Sequence, residues 1–284
     1  MNLFLLLVLG ALWGSSYLFI KVAVAEVPVM TLVAGRLALS AAILWVIVLA
    51  SGRKIPRSRS LWGAYTAMGF LNGTVPYALI SWGEQYIPSG LAALLQATMP
   101  LFTAIMAHLL IEDERMTFSS ALGVSIGFAG VVMLMLPDLR EGLRASLLGQ
   151  LAIVASSMSY AGAAIFARSR LRGQPPLAST LGQLTMGAVL TLPFSLFIDQ
   201  PFDLSPSLPA LGAWLSLALL GTVIAYIIYY ALIERTSATY TSMVTYIIPV
   251  NGLILGAAVL SENLTAVVLL SAALILLGAL LVRY

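Results

Sequence analysis

The chain is written twice. Pro28 is followed eight residues later by Arg36, and Pro175 eight residues later by Gln183, with Gly35 and Gly182 matching just before. Pro100 leads to Glu114-Arg115-Met116-Thr117, and Pro249 leads to Glu262-Asn263-Leu264-Thr265; Gly130 answers to Gly278. Isolated matches between apolar segments carry no weight, because such segments share a small alphabet. Here one offset, 147 to 149 residues, joins landmarks in at least four segments. That is the mark of a duplicated unit. Each copy, 1–140 and 141–284, reads as five apolar segments. Two copies of an odd-spanning unit in one membrane point in opposite directions, the inverted-repeat plan of many carriers.

Composition sets the solvent. Hydrophobic residues make up 61% of the chain and charged residues 9%, with a mean hydropathy of +1.02. A water-soluble domain carries about 25% charge. The net charge of +3 sits in a few connections between apolar runs, where it reads as membrane orientation and not as a nucleic-acid surface. The absence of cysteine removes disulfides, thiolate catalysis and Cys-ligated metals. The first segment, 3–24, has no basic leader and contains Trp13, Tyr17 and Lys21, so it reads as a retained span and not a cleaved signal.

A spanning helix needs about 20 mostly apolar residues. Ten stretches meet this: 3–24, 29–50, 61–82, 89–111, 118–136, 146–168, 176–198, 208–231, 238–260 and 265–282. Pro or Gly marks many connections, among them Pro28, Pro56, Pro88 and Pro137. Backbone polar groups in lipid must be paired within the segment, so the spans are helices. The ten-residue alternating segments of a β-barrel are absent. The expected fold is an all-α polytopic membrane protein of ten helices. Arg53, Lys54, Arg57 and Arg59 in the second connection, Arg168, Arg170 and Arg172 around the sixth, and Arg283 share one side. By the positive-inside rule that side, with both termini, is cytoplasmic.

Function is sought among polar residues inside spans, which lipid penalises. Arg36, about two turns into the second span, and Lys21, near the end of the first, are expected to snorkel outward as anchors. His108, the single histidine, sits at the end of the fourth span and reads as an interfacial residue. Glu84 and Glu234 fall at span ends, so no central carboxylate for proton coupling is visible. No metal-binding cluster, nucleophile–base pair or phosphate loop is present, and neither an enzyme nor a cofactor is expected.

The interior instead offers rings and uncharged polar groups. Trp13 and Tyr17, Gln96 and Pro100, Tyr226 and Tyr230, and Thr241 and Thr245 are spaced i, i+4 and share helix faces. Together with Tyr77, Trp82, Tyr160, Gln183, Tyr246 and Asn251, they are the candidate lining of a substrate cavity. Its rings would stack on a flat ligand, and its amides and hydroxyls would hold the polar end. Trp62, Tyr65, Tyr86, Trp214 and Tyr284 read as aromatic-belt anchors. Pro100 and Pro249 should kink the fourth and ninth helices and serve as hinges. Gly123, Gly127 and Gly130 suit close helix packing, within the chain or in a dimer.

These motifs resemble the EamA branch of the drug/metabolite transporter superfamily. The phrases concerned are Ala11-Leu12-Trp13-Gly14-Ser15-Ser16, Pro28 through Arg36, Pro100 to Glu114 and Pro249 to Glu262. The resemblance covers the whole chain. It implies a central cavity between spans 1, 3, 4, 6, 8 and 9, with 5 and 10 peripheral. It also implies a bacterial inner-membrane location and, often, efflux. More narrowly the chain is similar to exporters of aromatic and other neutral amino acids. Tyr160 departs from the tryptophan common at its place. The expectation is a monomeric exporter of small metabolites in the lipid bilayer, with aromatic or hydrophobic amino acids as leading substrates. Carriers of drugs or nucleosides, or a membrane-embedded enzyme or scaffold, are the rivals.

Overall fold

A computed structural model describes residues 1–52, 58–112 and 114–282, and the backbone alone at 238–239. Arg53, Lys54, Pro56, Arg57, Arg283 and Tyr284, used above, lie outside the described residues. The fold is all-α. Among the described residues ten long helices build it: α1 (Asn2–Val24), α2 (Val29–Ala50), α3 (59–83), α4 (Ser89–Leu110), α5 (Phe118–Glu141), α6 (Arg144–Arg170), α7 (Pro176–Asp199), α8 (Leu208–Arg235), α9 (238–260) and α10 (Ala266–Leu281). Eight of them are long and apolar enough to cross a membrane; α10 is a shorter apolar helix, and α3 is the most polar of the ten.

Local chemistry sets the boundaries. Pro28, Pro88 and Pro175 stand at the N-caps of α2, α4 and α7, where a missing N–H costs nothing. Thr117, Ser207, Ser237 and Thr265 cap α5, α8, α9 and α10 by accepting a backbone N–H. One boundary differs from expectation. Pro137 lies inside α5, which runs on to Glu141 and stops at Gly142 with φ 71°. A single proline did not end the helix; a left-handed glycine did.

Chain ends share one end of the bundle, called here the terminal end. Arg235 of α8 reaches Met1, and Ser119 of α5 reaches the Leu281 carbonyl there. At the distal end Glu26 accepts from the Ser207 N–H and hydroxyl at 2.6 Å each, and Asp199 accepts from the Thr31 N–H at 2.7 Å. Two helix pairs, α2 with α7 and α5 with α10, pack most extensively. Of the rest, α1 packs on α9 as α4 packs on α6, and α1 on α8 as α3 on α6. Each contact maps onto another, or itself, when helix n is exchanged with n+5.

The α5–α10 pair explains the glycine spacing. A Cβ on Gly278 would lie 2.5 Å from the Gly123 carbonyl and 2.6 Å from the Gly127 backbone, and a Cβ on Gly130 would crowd Ile275 and Leu274. All three α5 glycines are therefore buried inside the chain, against α10 or, for Gly127, also against Leu101.

Candidate functional site

Three helices widen to a π-helix, and two of these segments build the site. α3 widens to a π-helix at Phe70–Thr74, and α8 at Leu219–Ile224; the third lies at the end of α7. Such bulges concentrate at functional positions. Each of the first two hands a polar residue to the other half. Asn72 Nδ2 donates to Gln183 Oε1 at 3.1 Å, and Arg36 Nε donates to Thr222 Oγ1 at 3.0 Å. Arg36 and Gln183 are partners in the sequence duplication, and each meets the π-helix of the opposite half, though at non-equivalent positions of it: Thr222 answers to Thr74, not to Asn72.

Between these contacts lies a cavity of about 650 Å³, ample for a metabolite. Leu171 and Gln174 of the α6–α7 connection, with Ile233 near the end of α8, line its mouth at the terminal end. Its lining reaches Ile20, Ile80 and Ala93, each a turn short of the distal end. There it is closed. Lys21 Nζ donates to the carbonyls of Glu84 and Ile87, and the Glu262 carboxylate takes the Ser89 and Gly90 N–H groups.

Most of the expected residues meet here. Trp13, Tyr17, Tyr77, Gln96, Tyr160, Gln183, Tyr226, Tyr230 and Thr245 line the cavity, with Pro100 and Pro249. The rings cluster on one wall. Trp13 meets Tyr226 edge-on at 6.1 Å and Tyr229 at 5.5 Å, while Tyr226 and Tyr230 stack at 6.0 Å. Tyr230 is bonded to Thr180. Gln96 accepts from Ser156 at 2.7 Å, and its Nε2 has no partner among the described residues.

Four expected lining residues lie elsewhere: Thr241 is buried and donates to the Ser237 carbonyl at 2.9 Å, and three others find partners away from the centre. Trp82 packs on Tyr86 at 5.0 Å. Tyr246 donates to the Ala279 carbonyl of α10 at 3.2 Å. Asn251 donates back to Ile247 at 3.3 Å and packs against Gly14 of α1. These three were placed by depth alone; helix rotation turns them from the centre. The hinge prolines also differ from each other. α4 breaks at Ala97–Thr98, immediately before Pro100, whereas Pro249 stays within continuous helix and the break in α9 falls at Met243. Two belt residues are likewise internal: Tyr65 is 1% exposed against Gly182, and Trp214 donates to the Leu32 carbonyl at 2.9 Å. His108 accepts from the Met116 N–H at 3.2 Å and ties down the α4–α5 connection.

Arg36 overturns its expectation outright. It does not snorkel: it is 5% exposed, lines the cavity, and holds its guanidinium 4.0 Å from the Tyr77 ring centroid. The signal that marks it in the sequence is a full charge two turns inside a span. Glu84 is corrected too. It ends α3, yet it is fully buried, and neither carboxyl oxygen has a hydrogen-bond partner among the described residues. Burial pushes this carboxyl well above the usual carboxylate range; Lys21 draws it partly back, and Glu262 pushes it further.

A family model for the EamA-like transporter family matches residues 1–136 and 147–284. The chain belongs to this family. Among curated relatives, the uncharacterized inner membrane transporter YedA of Escherichia coli (strain K12) is 29% identical, over 98% of this chain and 89% of its own. The uncharacterized transporter YoaV of Bacillus subtilis (strain 168) is 24% identical over 94% and 91%. Protein PecM of Dickeya dadantii (strain 3937) is 25% identical over 84% and 78%. A solved crystal structure aligns with a TM-score of 0.68 at 18% identity, covering 99% of this chain and 95% of that one, and shares the fold. This EamA-like protein is thus a multi-pass membrane transporter.

Proposed function

We propose that this EamA-like transporter exports small metabolites, foremost aromatic and hydrophobic amino acids, across a bacterial inner membrane with both termini in the cytoplasm. The observation that carries the reading is the cavity wall of Trp13, Tyr226, Tyr229 and Tyr230. Rings so arranged favour a flat or apolar side chain, each contact adding about 0.5–1.5 kcal/mol beyond burial. Gln96 and Gln183 offer amide dipoles for the polar end.

Alternating access is the mechanism. The cavity opens at the terminal end and is shut at the distal end, the arrangement of a carrier waiting for cytoplasmic cargo. The helix contacts that interchange between residues 1–140 and 141–284 support two inverted repeats, whose rocking exposes the site to each side in turn. Glycines of α5 used up against α10 favour a monomer.

Counterflow by purified protein in liposomes tests the reading. Labelled phenylalanine, tryptophan, leucine and methionine should exchange against unlabelled internal solute. If none of them moves, the amino-acid assignment is lost. A second reading has one observation in its favour: about 650 Å³ is more room than a single amino acid fills, so nucleosides and uncharged drugs belong in the same panel.

A further inference from the structure

We infer that Arg36 is an anion subsite, and that the solute carried by this protein presents a carboxylate to it. The inference rests on the cavity being the transport site and names the charge of its cargo.

Among the cavity-lining residues Arg36 alone carries a full charge. A guanidinium has five N–H donors. Among the described residues its hydrogen-bond acceptors are Thr222 Oγ1, 3.0 Å from Nε, and the Gly221 carbonyl, at the 3.5 Å limit from Nη2. No carboxylate of the described residues forms a salt bridge with it; the one described ion pair joins Arg168 and Glu114. A cation buried to this degree without a counter-ion is strongly disfavoured. The Tyr77 ring face, 4.0 Å away, offsets part of that cost by cation–π attraction. It supplies no hydrogen-bond acceptor for the remaining donors.

The surrounding structure holds the guanidinium in place. Thr222 donates its own hydroxyl proton to the Leu217 carbonyl, five residues back along the π-helix, at 2.9 Å. Its oxygen is thereby aimed as an acceptor at Nε. Ser40, one turn along α2 from Arg36, donates to the Arg36 carbonyl at 2.7 Å and to the Ala218 carbonyl at 3.0 Å, fixing α2 against α8. With Nε committed, the Nη edge remains for a ligand. A single planar fork matches one carboxylate bidentately. A phosphate-rich solute would call for several such cations, and a cationic drug for an acid in the wall; the cavity lining has neither. Gln183, at the duplicated position, is neutral and already accepts from Asn72, so one half of the protein binds charge and the other does not.

The test is made on the full chain in liposomes and in detergent. In counterflow of labelled phenylalanine, 3-phenylpropionate should compete strongly, and phenylalaninamide and phenethylamine about tenfold more weakly, the loss of one charge-assisted pair. Arg36→Gln should erase that preference, and Arg36→Lys, which keeps the charge and loses the fork, should keep it with a raised KM. Thermal stabilisation of the purified protein by 3-phenylpropionate against 3-phenylpropionamide gives a second readout that needs no transport. A carboxylate-specific shift seen in wild type and Arg36→Lys but absent in Arg36→Gln supports the subsite, even if phenylalanine itself is not carried; the amino-acid reading alone then falls. Equal effects of acid and amide on wild type overturn the subsite, as does a preference that survives in Arg36→Gln. Should Arg36→Gln fail to fold, Thr222→Val, which releases Nε, must weaken the acid and leave the amide unchanged, or the inference is overturned.

Discussion

The Glu262 carboxylate closes the N-terminus of α4 around Ser89: Oε1 accepts from the Ser89 N–H at 2.6 Å and its hydroxyl at 2.9 Å, and Oε2 from the Gly90 N–H at 2.9 Å. A carboxylate on free N–H groups at a helix start is the favourable polarity of the helix dipole. Because α4 lines the cavity, this contact latches the distal end. Glu262→Gln should weaken the latch by about 1.5–3 kcal/mol, the worth of a charged hydrogen bond. The check is a cysteine at Ala93 probed with an impermeant maleimide added from the distal side. Labelling should rise in Glu262→Gln; unchanged labelling would show that the closure lies elsewhere.

The duplication predicts a second latch. Glu114 stands to Glu262 as Ser237 stands to Ser89, with one offset of 148 residues. In the present structure the contact is not made: Glu114 pairs with Arg168, and Ser237 caps its own helix by accepting from Tyr240 at 3.0 Å. When the terminal end closes, Glu114 is expected to take the Ser237 N–H. A Glu114→Cys/Ser237→Cys pair should cross-link faster in a protein biased by Glu262→Gln. An equal rate in both backgrounds would defeat the prediction.

External pH should act through Glu84. Its carboxyl is raised in the closed state by burial first, with Lys21 opposing and Glu262 adding; Tyr17 is its other titratable neighbour. In water its pKa returns toward about 4.3. Closure therefore takes up a proton. The stabilisation it lends the closed state is complete below the water value and is lost as pH rises through the closed-state value. Distal labelling at Ala93→Cys should increase with pH, and Glu84→Gln should flatten that dependence while keeping the end closed. A wild-type profile that is flat, or reversed in sign, would remove Glu84 from the closure.

Trp13 joins Tyr226 and Tyr229 in one aromatic wall. Trp13→Ala should raise the KM for an aromatic substrate by about tenfold, since two ring contacts of about 0.5–1.5 kcal/mol each are lost. The KM for leucine should change less. Counterflow with both substrates measures the ratio.

Gly278 leaves no space for a side chain between α5 and α10. Gly278→Leu should lower the melting temperature in detergent, an overpacking cost of at least about 1–3 kcal/mol. It should leave the elution volume unchanged if the glycine face packs only within the chain.

Much of this protein was legible in its sequence, for physical reasons. Lipid tolerates neither unpaired backbone nor stray charge, so apolar length marked the helices, most plainly the eight long and apolar enough to cross a membrane. The i, i+4 spacing placed Trp13 with Tyr17 and Tyr226 with Tyr230 on common faces, and both pairs line the cavity. Depth without rotation misled at Trp82, Tyr246 and Asn251. What only the tertiary structure decided is where each polar group finds its partner. The π-helices of α3 and α8 share a Leu-x-Gly-Thr-Val phrase, at 71–75 and 219–223, but only the fold shows that they turn Asn72 and Thr222 toward Gln183 and Arg36. A charge two turns inside a span reads as an anchor until the packing of α2 on α8 shows it sealed from the surface. Glu84 at a helix end reads as solvent-exposed until α1 and the α9–α10 connection close over it. Helix existence follows from the energetics of one segment in lipid; burial and pairing depend on several segments meeting, which no local pattern encodes.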